Sequence, residues 1–490
     1  MRHFNFGYKA LAGLLASVVL AACGGGGGSS AEAPPPGGTN PPPTGGIDRG
    51  GVSYGAITGF GSDIVNGVLF DTSGASFIVN GAAGSQDDLA VGQVVTITGG
   101  VNDDGVSGEA ETVEYDDEVK GPVEALDAAA GTFAVLGVQV RTDANTLYGG
   151  FTGFDGLAAA VGLGTVIVEV SGFRDSTGAV RATRVEREDS AAEFEIKGRV
   201  SGLDAGASTF LIGTQQVDYS QAMLPDGAPG NGAWVEARGQ LSGGVLVASS
   251  VELEDSLDDR FEDGGRAEVE GFVTRVVDAS RFEVAGVTVV VTASTVYEGG
   301  TAADLRVNVK LEAEGSFDEA AGVLRAAKVE FKVGGDLELE GVVQSVGASG
   351  FRAVGVDVAV TAATAWEDSR DDDRLFNLSR LRAGDFVSVR GGDGQGGVFT
   401  ASVVERDDAD EDSVLQGPVA EIDALAGTFT ILGVAIDTSA VDADGFRNAL
   451  DQPIGRDAFF AALADGVLVQ AKGDFDGSAT LAAREVELED

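Results

Sequence analysis

Histidine and cysteine are almost missing from this chain of 490 residues, which has one of each, His3 and Cys23. Both stand near the amino terminus, so from residue 24 onward there is neither a thiol nor an imidazole. That excludes structural disulfides, thiolate or imidazole zinc sites, Ser-His-Asp triads and Cys-His pairs in that part of the chain. General acid–base chemistry by histidine goes with them. Proline is scarce, with 11 residues, and aromatics make up only 7%. Bases are scarce too: 32 Lys and Arg face 78 Asp and Glu, a net charge of −46. Such a surface repels phosphate backbones and anionic headgroups, so nucleic acid is not an expected partner. The charge serves solubility first, and after that cations or basic partners.

What is abundant is glycine, 74 residues, in a chain whose apolar fraction of 43% is normal for folded protein. Many short strands joined by tight turns use this mixture. The length implies several domains.

The first nine residues carry Arg2, His3 and Lys9, and the next thirteen read ALAGLLASVVLAA. Thirteen apolar residues are too few to span a bilayer but fit a signal-peptide core. The run ends Leu20-Ala21-Ala22-Cys23 and resembles a bacterial lipobox. Residues 1–22 are therefore expected to be a lipoprotein signal peptide, with Cys23 lipidated and anchoring the chain to a membrane. By analogy with other lipoproteins, Gly24 points to the outer membrane. Without Arg2 and Lys9, 30 bases face 78 acids, and the net charge is −48. Residues 23–52 are rich in Gly and Pro and form a tether.

Beyond the tether the chain repeats itself. GPVEALDAAAGTFAVLGV from Gly121 and GPVAEIDALAGTFTILGV from Gly417 agree at 12 of 18 positions. An opening Gly-x-(Val/Ile) recurs at Gly55, Gly121, Gly198, Gly271, Gly341 and Gly417. A Phe followed by a Gly comes next, as in Phe77 with Gly81 and Phe133 with Gly137. An alternating strand then closes on Gly99, Gly172, Gly239, Gly315, Gly391 or Gly473, and a Val-Glu strand ends each copy. Period-two alternation marks half-buried strands. Between the third and fourth strands lies a helix-like piece, seen at 457–465, 378–383 and 87–91. The order of elements is that of an OB-fold, a small five-stranded barrel. The expected fold class is all-β: six tandem OB-like five-stranded barrels, each with a short helix between strands three and four. Their expected bounds are 53–117, 118–190, 193–256, 266–335, 336–408 and 413–490. The acidic joins between copies read as linkers with little to bury.

GAITGFGSDIVNGVLFD at 55–71, together with GTFAVLGV at Gly131 and its counterpart at Gly427, resembles the tandem-repeat bacterial lipoproteins of domain-of-unknown-function family 5666. The resemblance runs from about residue 53 to the end, clearest in copies one, two and six. It implies an envelope-located OB-like module and carries no activity, cofactor or catalytic residue.

Candidate sites are few. Asp71-Thr-Ser-Gly74 has the Asp and Thr of an aspartic-protease motif, but its Gly is one place late and it has no partner motif, so it reads as a hairpin turn. Asn102–Gly105, Asp474–Gly477 and Gly391–Gly394 are fragments of calcium loops, each explained as a turn between strands four and five. Weak calcium binding is the lesser reading. The acidic runs at 252–263, 368–373 and 405–412 read as solvated linkers before cation or partner sites. Trp234 and Trp366 are candidates for a sugar groove, with Trp234 read as core. No cofactor, metal ligand or catalytic residue is assigned. The expected function is a membrane-anchored, non-enzymatic array that binds an envelope protein or glycan. A spacer without ligand is the alternative, and a carboxylate polysaccharide hydrolase the third reading.

Overall fold

The computed structural model describes residues 51–490, apart from 61, 62, 103, 189–192, 333, 336, 394–397 and 490. Cys23, the expected signal peptide and most of the expected tether lie outside the described residues. In barrel two the alternating apolar residues form strands Val119–Asp127, Thr132–Val135, Val138–Arg141, Ile167–Arg174 and Val180–Glu188. Strand one pairs with strands two and four, two with three, four with five, and three runs parallel to five. This ring has no free edge. The same ring closes in barrel one, Gly51–Tyr115; barrel three, Phe194–Leu253; and barrel four, Arg266–Phe331. It closes again in barrel five, Leu337–Asp407, and barrel six, Ser413–Leu488. The described residues form six closed five-stranded barrels with OB-fold topology.

Two glycine positions build each barrel. The second and third strands meet in a two-residue turn, such as Leu136-Gly137 (φ +47° and +73°) or Leu432-Gly433 (+51° and +79°). Positive φ at both central residues matches the twist of the flanking strands. The later glycine, expected to close strand four, instead lies inside it. The strand runs on to Arg174 past Gly172 and to Ser242 past Gly239. At each such glycine the register with strand five slips by a residue. These are β-bulges, which bend the strand so that the sheet can close.

Copy one departs from the reading at Phe77 and Gly81. Its barrel hairpin is one turn earlier, Val65 opposite Val68 across Asn66-Gly67. Asn80-Gly81 makes a second, peripheral hairpin of the same chemistry, and Phe77 is only half-buried. Its counterparts Phe133, Phe210, Phe282, Phe351 and Phe429 are core. Asp71–Gly74 is not a hairpin: the strands on either side, Val68–Asp71 and Ser76–Val79, do not pair with each other but lie end to end along strand five of barrel one.

The expected helix is present in only two barrels, α1 (Gly153–Leu163) in barrel two and α2 (Arg456–Ala462) in barrel six. Barrels one and four keep a single 3-10 turn, Gln86–Asp88 and Ala302–Asp304. Barrel three has turns and one isolated bridge, Met223 opposite Ser250, and no helix, because Pro225, Pro229 and three glycines fall in that segment. In barrel five 378–383 is also turn. There the Asn377 side chain accepts the Ser379 N–H at 2.9 Å, the local bond that competes with helix.

The joins are not free linkers. Barrels two and three share a core, as do barrels five and six. Each of these pairs is stitched by its first strands, Val119 opposite Ile196 and Leu339 opposite Leu415. Barrel one pairs with barrel four through parallel first strands, Val52 opposite Ala267. There the Ser53 hydroxyl donates to Glu268 at 2.9 Å, and the Ala56 N–H to Glu270 at 3.0 Å. Between copies three and four, Phe261 of the acidic join is buried against Phe317, ring centroids 5.0 Å apart.

Candidate functional site: an acidic cleft between barrels two and five

Strand alternation places the site. In barrel five Leu337 and Leu339 point into the core, so Glu338 and Glu340 point out of the same strand. Glu405 and Asp407 come from strand five, and Glu367 and Asp368 from Ala365–Asp368 beside it. Facing them is barrel two, with Tyr148 and Glu186, and with Phe154 and Asp155 in the first turn of α1. Together they line a cleft of about 1070 Å³. Its only basic lining side chains, among the described residues, are Arg184 and Arg390. Two of the three acidic runs, 368–373 and 405–412, thus border one concavity, where sequence reading made them linkers.

Both arginines are already engaged. Arg184 bridges the barrels: Nε donates to Glu186 at 2.7 Å, Nη1 to Glu367 at 3.1 Å and to the Val91 carbonyl of barrel one at 3.1 Å. Arg390 donates to Glu405 at 2.8 Å. Asp368 is held by both arms of Arg406, Nε at 2.8 Å and Nη2 closer still. Of the lining carboxylates left, Glu338, Glu340 and Asp407 stand on two strands of barrel five, and Asp155 faces them from α1. Burial, then the charges of Glu338 and Asp407, push Glu340 up to about 7. Burial, then Glu405, push Asp407 up to about 6. Burial also raises Glu338, against the pull of Arg390. An added positive charge would relieve the mutual repulsion of these carboxylates.

The other predicted positions scatter. Asp104 accepts the N–H groups of Val106 and Ser107 at 3.0 and 2.9 Å, and Asp476 those of Ser478, Ala479 and Thr480 at 2.7–3.1 Å. These carboxylates are spent on their own turns between strands four and five, and the backbone bonds hold Asp476 down at about 2. Gly391 and Asp393 lie within strand four, and Asp103 and Gly394 fall outside the described residues. The run at 252–263 packs at the junction of barrels one, three and four, where Arg260 holds Glu114. No group of His, Cys, Asp and Glu that could hold a metal ion occurs among the described residues. The tryptophans exchange places with their readings. Trp366 is core, edge-on to Phe376 at 5.7 Å. Trp234 is half-buried between the guanidinium groups of Arg174 and Arg199, 5.0 and 5.7 Å from its ring.

Sequence reading also missed a buried ionic cluster where barrels one, two and three meet. Asp117 is wholly buried and neither carboxylate oxygen has a hydrogen-bond partner. Around it Tyr115 donates to Glu169 at 2.8 Å, Lys120 to Glu169 and Glu188 at 3.0 and 2.8 Å, and Arg238 pairs with Glu195 at 3.1 Å. Burial, then the charge of Glu169, raise Asp117 well above the carboxylate range. The signal was the run Asp116-Asp117-Glu118 at a join, which charge alone marks as exposed.

No curated protein matches the chain. Among solved structures, drosophila Unr CSD456 is similar at 16% identity and a TM-score of 0.13, covering 44% of this chain and 98% of that one. The family model for Domain of unknown function (DUF5666) matches five times in tandem, at 120–186, 197–252, 270–330, 340–405 and 416–487. Barrel one, expected among the clearest copies, lies outside these matches although its strands close the same ring. Copies three and five, which seemed to depart most, are matched. Over more than half its length, then, this chain belongs to the DUF5666 family, as a tandem array of its barrels.

Proposed function

We propose that this chain is a lipid-anchored, non-enzymatic binding protein of the bacterial envelope, held to the outer membrane through Cys23, and that its binding face is the acidic cleft. The observation that carries the binding reading is the cleft itself, an open concavity whose carboxylates far exceed its bases and whose two arginines are paired. The occupant this chemistry favours is a basic segment of an envelope protein. Tyr148, Phe151 and Phe154 add apolar and cation–π contact along one wall. An OB-type groove on the barrels themselves has less support, since no aromatic is among the large exposed apolar side chains of the described residues.

The test uses a defined probe, a short Arg/Lys-rich peptide, titrated into the full chain at low and high salt. Glu338→Gln, Glu340→Gln and Asp407→Asn combined should weaken binding at least tenfold. Neutralising three exposed acids elsewhere, Glu109, Glu111 and Glu124, should change it less than twofold. Equal losses from both triple variants would reduce the cleft to diffuse charge. Cys23→Ser tests the anchor, because a chain that still fractionates with membranes is held some other way.

A further inference from the structure

We infer that the acidic cleft selects arginine over lysine, because the outer face of barrel five offers a place for one guanidinium: Ser388 and Phe386 beneath it, Glu338 and Glu340 on one side, Asp407 on the other. The inference rests on the cleft being the binding face for a basic segment, and it names the side chain that segment must carry. In barrel five Val387 and Val389 enter the core, so Phe386, Ser388 and Arg390 of the fourth strand face outward. Phe386 is buried and lines the cleft, but belongs to no apolar core among the described residues. Ser388 stands directly opposite Glu340 of the first strand, and Phe386 directly opposite Asp407 of the fifth. Neighbouring strands lie about 4.8 Å apart, so carboxylates flank the serine and the ring within reach of one planar group.

Two features select the side chain. First, the acceptors are open. Ser388 is only 6% exposed, yet its hydroxyl oxygen keeps surface on the cleft and has no hydrogen-bond partner among the described residues. Glu338, Glu340 and Asp407 line the cleft and have no hydrogen bond or ion pair among those residues either. Second, the cleft meets its other carboxylates with arginine. Among the described residues Glu186 and Glu367 pair with Arg184, Glu405 with Arg390 and Asp368 with Arg406, and no lysine lines the wall. Arg406 shows the full combination in the same barrel: its guanidinium lies 4.6 Å from the ring centre of Phe376 while both its arms hold Asp368. A guanidinium over Phe386 repeats that arrangement, since one planar fork stacks on a ring and donates to carboxylates on both sides. An ammonium is a compact, strongly hydrated charge that gains less from the ring and cannot donate as a fork.

The experiment compares hexa-arginine with hexa-lysine, equal in length and charge, by calorimetric titration of the full chain. It is run at pH 8, where Glu340, raised to about 7, and Asp407, raised to about 6, are ionised. Hexa-arginine should bind roughly five- to tenfold more tightly. Phe386→Leu should weaken hexa-arginine roughly three- to tenfold and hexa-lysine less than twofold, so that the preference collapses. Ser388→Ala should weaken hexa-arginine roughly two- to fivefold and leave the melting temperature unchanged, because its hydroxyl has no partner to lose. If Phe386→Leu fails to fold, Ser388→Ala alone decides. Equal binding of the two peptides overturns the inference and leaves the cleft as a general cation-binding face. A preference for hexa-arginine that both variants keep overturns it as well, by placing the selection elsewhere. Failure of both peptides to bind overturns the cleft reading itself, and this inference with it.

Discussion

The glycine inside the fourth strand of each barrel sits where an added methyl group would lie 2.0–2.2 Å from a carbonyl oxygen of strand five. The bulge brings the two backbones together there, so Gly239→Ala must push strands apart. We expect it to cost about 1–3 kcal/mol or more, the range for forced overpacking. Gly164→Ala, where a methyl group meets open space, is the matched control. Chemical denaturation of the two variants checks the pair, and equal midpoints would mean that the bulge relaxes freely. Titration is the other residue-scale consequence. Burial raises Asp116 and Asp407 to about 6 and Glu254, Glu268 and Glu340 to about 7. A carboxyl whose folded pKa is raised binds its proton more tightly in the folded state. Its contribution is full below the unfolded value, near 4, and is lost as pH rises through 6 to 7. The melting temperature should therefore rise between pH 8 and pH 5, and fall only where paired carboxylates such as Asp368, held low in spite of burial by Arg406, begin to protonate. A melting temperature that falls steadily from pH 8 to pH 5 would contradict this.

Among the elements, α1 shows how a barrel end is covered when a helix is present. It buries Leu157, and Phe154 of the same helix meets Phe133 of strand two at 6.5 Å. Leu157→Ala should cost about 2–5 kcal/mol, while the same change at exposed Leu163 should cost under about 0.5 kcal/mol. Urea melts of both variants decide this, and comparable losses would mean that the helix does not close the core. The strands were legible because each alternates and each hairpin declares itself by a glycine at positive φ. Copy one was misread because Asn66-Gly67 and Asn80-Gly81 are chemically equivalent turns, and local sequence does not say which one closes the ring. The helix was over-read in barrels one, three, four and five, since a gap between two strands can be crossed by turns or a single 3-10 turn. Trp366 and Trp234 were misjudged for a related reason: alternation does not say which face of a strand is core, and beside Trp234 it is Val235 and Ala237 that take the core side.

At the scale of the molecule the acidic cleft could not be read in advance, because Glu340 and Glu186 lie in barrels that become neighbours only when all are assembled. What the repeat pattern did convey was the closed module, and there the structure adds a qualification. Barrels two and three share one core, so residues 118–256 should unfold in a single cooperative transition. Residues 118–190 alone should be less stable, having lost the contacts of Val119 with barrel three. Circular dichroism melts of the two fragments test this, and an unchanged midpoint for the shorter one would make the barrels independent.

The parallel pairing of barrel one with barrel four sets a timetable. Ser53 and its partner Glu268 are 215 residues apart. At about 5–20 residues per second of synthesis, the strand that begins the fold waits roughly 10–40 s for the neighbour that covers it. Barrel one is thus the earliest to emerge and among the last to be finished. Until then the backbone groups of residues 52–54 that face barrel four have no partner, and the carboxylates of Glu268 and Glu270 that will meet Ser53 and Ala56 have not yet been made.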